Sequence, residues 1–354
     1  MNKSIYLLLI LAMTIVLNEG QAQTSTKPVL AWSELAPIPD HIGFAGSFAG
    51  ISNGTLLVAG GANFPDGGAP WSGSKKVWHD HIFALEKQGG KWKLAGKLPR
   101  ALGYGASVTW KNTLIIIGGS NEKGHYADVF QLKYINGKIE RTALPALPTA
   151  IANTSGVLIG DVIYVAGGIE SPDAKDAAQN FWAMDLNATQ KVWKVLPAWP
   201  GPGRMFAVTG AMAGNFYLFS GGELINGNRN YLKDAYCYNP KTGWKRIADL
   251  PCAVAAAPGT AYALKQNLLV FGGDDGKLAA EAAVLKEKHP GFSNQVLGYN
   301  TITDSWGIVA QIPSPAPVTT TLTTWNGSII IPGGEVRPAV RTPKVLIVKP
   351  INYN

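Results

Sequence analysis

One carboxylate and two guanidinium groups follow the last glycine pair of the chain. Glu335, Arg337 and Arg341 lie in the segment GGEVRPAVRT, residues 333–342. A carboxylate can take a proton from a hydroxyl group and return it, and an arginine fork can bind the carboxylate of a ligand. The same residue types also form weak ion pairs on protein surfaces. The elements around this segment must decide between the two interpretations.

Glycine pairs that end an apolar stretch recur along the chain, which indicates internal repeats. Their second glycines are Gly61, Gly119, Gly168, Gly222, Gly273 and Gly334, at intervals of 49 to 61 residues. A second mark, a Trp followed seven positions later by a Pro, occurs five times, and Arg141 replaces the Trp in the remaining repeat. Repeats of this size, rich in β-branched and aromatic residues, are typical of the blades of a β-propeller.

The phase of the repeats predicts how the propeller closes. Each repeat reads as four short strands, of which the second ends in the glycine pair and the fourth carries the Trp. The first Trp strand, near residues 30–35, precedes any complete repeat, and the last repeat, near residues 318–349, lacks its Trp strand. We therefore expect an all-β, six-bladed propeller formed by residues 23–354, in which the N-terminal strand completes the last blade.

The N-terminus predicts export. Lys3 precedes an apolar stretch over residues 5–17, and Gly20-Gln21-Ala22 offers a cleavage site with small residues. We interpret residues 1–22 as a signal peptide and expect a periplasmic or secreted protein. Export permits a disulfide between Cys237 and Cys252, but we favour two separate apolar side chains because the cysteines occupy different strand segments.

Charge and composition narrow the expected partners. The formal net charge is +8, yet no run of Lys and Arg exceeds two residues. This pattern argues against a nucleic-acid or membrane surface and suits a small anionic ligand. His79 and His81 flank Asp80 in WHDHIF, but no third ligand is evident, so we predict no metal site.

The predicted topology places several charged and polar residues around one mouth of the propeller. In an antiparallel blade, the loop after the second strand and the segment entering the first strand open on the same face, and such a concave mouth is the default ligand site. Besides Glu335 and Arg341, the candidate substrate-binding residues there are Arg337, Arg204, Glu223, Asn63 and Arg100.

Several segments carry a family resemblance. The segments YNPKTGW (residues 238–244) and YNTITDSW (residues 299–306) resemble kelch repeats. Kelch propellers include enzymes, sugar-binding proteins and protein-interaction modules, so the fold leaves the function open. A narrower resemblance joins residues 43–64, residues 110–119 and GGEVRPAVRT to the secreted N-acetylneuraminate epimerases, or sialic acid mutarotases. Here these segments occur in reversed order, which resembles a cyclically permuted branch of that family.

The resemblance implies an activity and roles for two residues. It implies interconversion of the α and β anomers of a small anionic sugar without a cofactor, with Glu335 as the acid/base and Arg341 assisting. The alternative is a kelch module that binds carbohydrate or protein without catalysis. A copper radical oxidase is disfavoured because Cys237 lies on a strand away from the mouth. A sialidase is disfavoured because the arginine triad of those enzymes is not seen.

Overall fold

Six four-stranded antiparallel sheets surround a central axis in the computed structural model, which describes residues 29–313 and 315–351. The first strand of each repeat lies innermost, beside the first strands of the neighbouring repeats. The predicted six-bladed β-propeller is thereby confirmed. The predicted signal peptide, residues 1–22, lies outside the described residues.

Strands make up almost all of the regular secondary structure of the described chain. The first strands in chain order are β1 (Val29–Leu35), β2 (Phe48–Ser52), β3 (Thr55–Ala59), β4 (Ala62–Asn63), β5 (Val77–Trp78), β6 (His81–Leu85), β7 (Lys93–Lys97), β8 (Ala106–Trp110), β9 (Thr113–Ile117), β10 (Ser120–Asn121), β11 (Gly124–His125), β12 (Val129–Ile135), β13 (Lys138–Leu144), β14 (Ser155–Ile159), β15 (Val162–Ala166), β16 (Phe181–Asp185) and β17 (Lys194–Val195). The next are β18 (Val208–Met212), β19 (Asn215–Phe219), β20 (Gly222–Ile225), β21 (Asn228–Tyr231), β22 (Ala235–Asn239), β23 (Gly243–Ile247), β24 (Tyr262–Leu264), β25 (Asn267–Phe271), β26 (Gln295–Asn300), β27 (Ser305–Gln311), β28 (Thr323–Trp325), β29 (Ser328–Pro332), β30 (Glu335–Arg337), β31 (Val340–Arg341) and β32 (Val345–Ile351). The short helices are three 3-10 turns and one α-helix, α1: Pro70–Ser72, Ala279–Glu281, α1 (Ala282–Leu285) and Lys286–Lys288.

We number the blades 1 to 6 along the chain. Blades 1 to 5 are β2-β3-β6-β7, β8-β9-β12-β13, β14-β15-β16-β17, β18-β19-β22-β23 and β24-β25-β26-β27, and blade 6 is β28-β29-β32-β1. Small hairpins extend blades 1, 2, 4 and 6 beyond the glycine pairs: β4-β5, β10-β11, β20-β21 and β30-β31.

The N-terminal strand closes the propeller, as predicted. β1 pairs antiparallel with β32 along its whole length, from Val29 opposite Ile351 to Leu35 opposite Val345. Blade 6 therefore combines strands from both ends of the described chain. Closure of this kind removes an exposed sheet edge.

The hydrophobic core lies between the blades. One cluster joins Val208 and Phe219 of blade 4 to Leu268 and Val270 of blade 5, and all four side chains are buried. Apolar residues on both faces of a second strand are needed because each blade is covered by a neighbour on either side. This requirement explains the continuous apolar runs before the glycine pairs.

The glycine pairs turn the chain out of the second strand toward the mouth. Both glycines of a pair adopt positive φ, as in Gly333 (63°) and Gly334 (107°), where most other residues are disfavoured. The residue after the pair then forms a β-bridge with the segment that enters the first strand of the same blade, as Glu335 does with Val318. In blade 4, Ser220 and Gly221 take these two positions and Gly222 already begins β20. The sequence pattern therefore placed the glycine pair of blade 4 one residue too far along the chain.

A circle of backbone hydrogen bonds surrounds the axis at this level. One residue from each segment entering a first strand takes part, and each has positive φ: Gly46, Tyr104, Asn153, Phe206, Ala256 and Thr319. The N–H of each donates to the carbonyl oxygen of its equivalent in the preceding blade, at N–O distances of 2.6–2.9 Å, and the N–H of Gly46 completes the circle by donating to Thr319. We call these six residues the axial circle. It fixes the six blades to one another at the mouth.

The repeated tryptophans join consecutive blades at the outer strands. The indole N–H of Trp92 donates to the carbonyl oxygen of Ala36 at 2.7 Å, and that of Trp244 donates to Pro197 at 2.7 Å. Trp193 and Trp306 make the same kind of bond to the blade before them. The indoles therefore pack between blades rather than in the mouth.

Cys237 and Cys252 are both free thiols. Within residues 29–313 and 315–351, the structure contains no helix with the length and apolar character needed to cross a bilayer.

Candidate active site

The hairpin β30-β31 explains the spacing of Glu335 and Arg341. The two residues are cross-strand partners, so six positions in sequence bring their side chains face to face. Arg341 Nη1 lies 3.1 Å from Glu335 Oε2. The N–H of Ala339, in the turn of the hairpin, donates to Glu335 Oε1 at 2.9 Å. The carboxylate is thereby held in one orientation by contacts on both oxygens.

The two partners differ in exposure. The Arg341 side chain is only 4% exposed, whereas the Glu335 side chain is 19% exposed. The guanidinium carbon of Arg341 lies 5.0 Å from the centre of the Phe64 ring. Arg341 is thus packed inside the mouth, and Glu335 retains surface that a ligand can reach.

Three further side chains from blades 1 and 2 complete this cluster. The Nζ atom of Lys76 lies 4.7 Å from the centre of the Trp78 ring and 4.9 Å from that of Tyr104. Tyr104 belongs to the axial circle, and its ring packs over Gly46, where an added Cβ would come within 2.7 Å of it. We call Glu335, Arg341, Lys76, Trp78 and Tyr104 the mouth cluster.

Burial changes the acid–base behaviour of two members of the mouth cluster. Desolvation lowers the pKa of the Lys76 ammonium, the charge of Arg341 lowers it further, and Glu335 acts in the opposite direction. Desolvation raises the pKa of the Tyr104 hydroxyl, against the effect of the Arg341 charge. In both groups the largest cause is desolvation, which disfavours the charged form.

Several donors in the mouth cluster are buried without a protein partner. Among the described residues, none accepts a hydrogen bond from the Tyr104 hydroxyl, the Trp78 indole N–H or Arg341 Nε. Buried donors are normally satisfied. Such a concentration is typical of sites that bind an acceptor-rich ligand.

A cavity continues from the mouth cluster along the axis. It has a volume of about 80 Å³ and is lined by residues of the axial circle, including Tyr104, Asn153 and Phe206, and by Thr209 and Thr260. Tyr104 lines this cavity and is also a member of the mouth cluster. The cluster therefore lies at the entrance of the central channel.

Two of the arginines that we selected from the sequence are engaged by protein groups. Arg204 is fully buried, and its guanidinium forms a two-pronged pair with Asp234 at 2.8 and 2.9 Å. Arg100 Nη1 lies 2.6 Å from Asp128. Both pairs tie the segment entering a first strand to the residue that precedes a third strand, so these guanidinium groups hold elements together.

The remaining candidates occupy different places. Arg337 lies in the same hairpin as Glu335, but its Nη1 donates to the carbonyl oxygen of Glu287 at 2.6 Å. Asn63 is buried, donates to Gly43 at 3.0 Å and bonds His79 Nε2 at 2.8 Å. Glu223 lies half-buried in β20 of blade 4. The structure therefore brings Glu335 and Arg341 together, and the other five lie outside the mouth cluster.

Sequence reasoning missed Lys76, Trp78 and Tyr104. Only weak signals were present: Lys76 and Trp78 follow the long segment after Gly61, and Tyr104 occupies the place in its repeat that Gly46 and Asn153 occupy in theirs. Trp78 begins the segment WHDHIF, which we considered only for its histidines, and neither Lys76 nor Tyr104 belongs to a recognisable motif.

A sequence model of the N-acetylneuraminate epimerase family matches residues 16–140 and 144–277. These ranges include Lys76, Trp78 and Tyr104 but not Glu335 or Arg341.

Curated relatives carry the same name. The N-acetylneuraminate epimerase of Pasteurella multocida (strain Pm70) is 33% identical over 131 residues, 32% of this chain and 34% of that protein. The one of Yersinia pestis (strain Pestoides F) is 34% identical over 151 residues, 35% of this chain and 38% of that protein. The one of Haemophilus influenzae (strain 86-028NP) is 27% identical over 220 residues, 56% of this chain and 57% of that protein. The matches thus span between 34% and 57% of these relatives' own length.

A solved structure, titled "Structure of YjhT", has a similar fold. It superposes with a TM-score of 0.65 at 16% sequence identity, covering 90% of this chain and 97% of that chain. At this identity the likeness concerns the fold alone. Because the family model matches well over half of the sequence, this chain belongs to the N-acetylneuraminate epimerase family.

Proposed function

We propose that this protein is an isomerase that interconverts the α and β anomers of N-acetylneuraminate. The observation that carries the proposal is the Glu335–Arg341 pair: an oriented, partly exposed carboxylate beside a buried guanidinium at the entrance of the channel. The names of the matched family and relatives support the substrate class.

The reaction needs only proton transfers. Glu335 removes the proton of the anomeric hydroxyl, the bond between the anomeric carbon and the ring oxygen breaks, and the ring oxygen takes up the proton that Glu335 has received. The carbonyl group then presents its other face, and the reverse steps close the ring as the other anomer. One carboxylate that accepts and returns the proton serves both directions, because the two directions use the same steps in reverse order.

Arg341 suits the charge of this substrate. N-acetylneuraminate carries a carboxylate on its anomeric carbon, the same carbon that bears the reacting hydroxyl. A guanidinium that is packed against Phe64 and shielded from water interacts more strongly with such an anion than an exposed one would. Its position beside Glu335 brings the reacting hydroxyl close to the base.

We further propose that the protein acts outside the cytoplasm. The support is the N-terminal sequence, in which Lys3 precedes the apolar residues 5–17 and a small-residue cleavage site.

Proton NMR tests the proposed reaction. A sialidase releases α-N-acetylneuraminate, and the decay to the equilibrium mixture of anomers is followed with and without protein. We expect wild-type protein to accelerate the decay and Glu335→Gln to lose about 10²–10⁴-fold of that acceleration, because the amide cannot accept the proton.

The control is Glu281→Gln, an exposed carboxylate on the short 3-10 turn before α1, which should behave as wild type. If wild type does not accelerate the decay, the isomerase proposal fails. The alternative of a binding module without catalysis would then be the better account.

A further inference from the structure

Lys76 places a second cation in the mouth cluster. Its Nζ lies over the faces of Trp78 and Tyr104, at 4.7 and 4.9 Å from the ring centres. Aromatic faces attract a cation and position it without using its N–H donors. The ammonium of Lys76 is therefore held in place with its hydrogen-bonding capacity available.

The charges of the mouth cluster do not balance. Lys76 and Arg341 are close enough that the charge of Arg341 opposes the charged state of Lys76. Glu335 is the only carboxylate in the cluster; its Oε2 forms an ion pair with Arg341, and its Oε1 accepts a hydrogen bond from the N–H of Ala339. Two cations against one carboxylate leave an excess positive charge, which a ligand anion would compensate.

The unpaired donors lie beside this positive charge. The Tyr104 hydroxyl, the Trp78 indole N–H and Arg341 Nε are buried and have no acceptor among the described residues. All three groups can donate to an oxygen anion, and Trp and Arg cannot accept. The cluster therefore combines positive charge with unsatisfied donors, which is the complement of a carboxylate.

We propose that Lys76, Tyr104 and Trp78 form, together with Arg341, the subsite that binds the carboxylate of the substrate. This inference rests on the proposed function and assigns binding roles to three residues outside the GGEVRPAVRT segment. Because the substrate carboxylate and the anomeric hydroxyl share one carbon, a carboxylate bound here presents the hydroxyl to Glu335. The subsite thus selects sugar acids over neutral sugars.

The simplest alternative gives Lys76 a purely structural role. Its contact with two aromatic rings would then only anchor the long segment that precedes β5. A structural role predicts equal effects of a Lys76 substitution on charged and uncharged ligands. A carboxylate-binding role predicts an effect confined to the charged ligand.

The experiment compares N-acetylneuraminate with its C1 carboxamide, which has the same ring but no negative charge. Anomer exchange is measured by NMR and binding by calorimetry for both ligands. We expect wild type to prefer the acid in kcat/KM and in Kd. In Lys76→Met the preference should fall about 10- to 100-fold, because a hydrogen bond to a charged group is lost.

Two variants sharpen the comparison. Tyr104→Phe removes only the hydroxyl and should weaken binding of the acid several-fold. Lys75→Met removes the preceding lysine, which is exposed as Lys76 is but lies outside the cluster, and should leave the preference unchanged. Thermal unfolding of each variant checks that the fold is retained.

The outcomes separate this inference from the proposed function. If wild type is active and Lys76→Met keeps the full preference for the acid, the inference is overturned and the isomerase proposal stands. If wild type is inactive but binds the acid in a manner that depends on Lys76, the subsite stands and the reaction is wrong. If wild type neither reacts with nor binds the acid, both fail.

Discussion

At the scale of single residues, the mouth cluster combines groups that disturb one another. Burial and the charge of Arg341 lower the pKa of Lys76, while burial raises the pKa of Tyr104. Arg341 and Glu335 are the charged groups that act on both pKa values. Lys76 therefore loses its proton at a lower pH than an ordinary lysine, and Tyr104 retains its proton to a higher pH than an ordinary tyrosine.

This asymmetry predicts how ligand binding depends on pH. Lys76 is charged below its lowered pKa and neutral above it, so affinity for N-acetylneuraminate should fall as pH rises through that lowered value. The fall should begin below the usual lysine pKa of about 10.4. Calorimetric titration of wild type and Lys76→Met over neutral to alkaline pH measures it. A Lys76→Met variant with the same alkaline loss would assign the titration to another group.

At the scale of elements, a buried ion pair between Arg204 and Asp234 stabilises blade 4. Arg204 is fully buried between the rings of Trp199 and Tyr236, each 5.4 Å from its guanidinium carbon. Burial acts to raise the pKa of Asp234, but the hydrogen bonds and charge of Arg204 outweigh it, and the pKa lies below its usual value. This pair connects the segment entering β18 to the start of β22.

Asp234→Asn should destabilise the protein by about 3–5 kcal/mol, because Arg204 would remain buried without a counter-charge. The matched control is Asp249→Asn, which breaks the exposed pair with Arg246, whose side chains are 61% and 49% exposed. That change should cost about 0–1 kcal/mol. Urea unfolding measures both, and equal losses would contradict the structural role of Arg204.

Acid unfolding supplies a second readout for the same pair. The folded-state pKa of Asp234 lies below the unfolded value of about 3.9. Its stabilising contribution is therefore present above about pH 4 and is lost as pH falls through the folded value. Asp234→Asn should lack this part of the acid sensitivity.

At the scale of the whole molecule, two arrangements close the propeller. The axial circle joins the six blades at the mouth, and β1 pairs with β32 at the outer edge of blade 6. The pairing of β1 with β32 also affects the position of the site, because the hairpin that carries Glu335 directly precedes β32 in the chain. An added Cβ at Gly43 would overlap the carbonyl group of Thr342, immediately after that hairpin, so blade 1 approaches the hairpin closely.

Deleting residues 29–36 from the mature protein should expose the edge of β32 and promote self-association, since an unpaired edge strand pairs with other chains. A synthetic peptide of residues 29–36 should reverse this self-association and raise the Tm, whereas a scrambled peptide should not. Size-exclusion chromatography and thermal unfolding measure these effects. A truncated protein as stable as the full chain would show that closure by β1 is dispensable.

The sequence by itself determined the fold. Repeated glycine pairs and Trp–Pro marks report local geometry, because each repeat needs the same turn and the same contact with its neighbour. Counting them predicted the number of blades and the closing strand. The family resemblance of GGEVRPAVRT singled out Glu335 and Arg341, and the structure shows that a short hairpin makes them cross-strand partners.

Only the tertiary structure decided which side chains share the mouth with that pair. Lys76, Trp78 and Tyr104 come from non-equivalent positions in blades 1 and 2 and contact one another there, and the charge of Arg341 in blade 6 acts on Lys76 and Tyr104 only because the propeller closes. It likewise decided that Arg204 binds Asp234 and that Ser220–Gly221 takes the place of a glycine pair. The repeat predicts that the blades are equivalent, whereas these contacts depend on side chains that differ from blade to blade. Side-chain contacts between the first and last blades of a closed propeller leave no periodic pattern in the sequence.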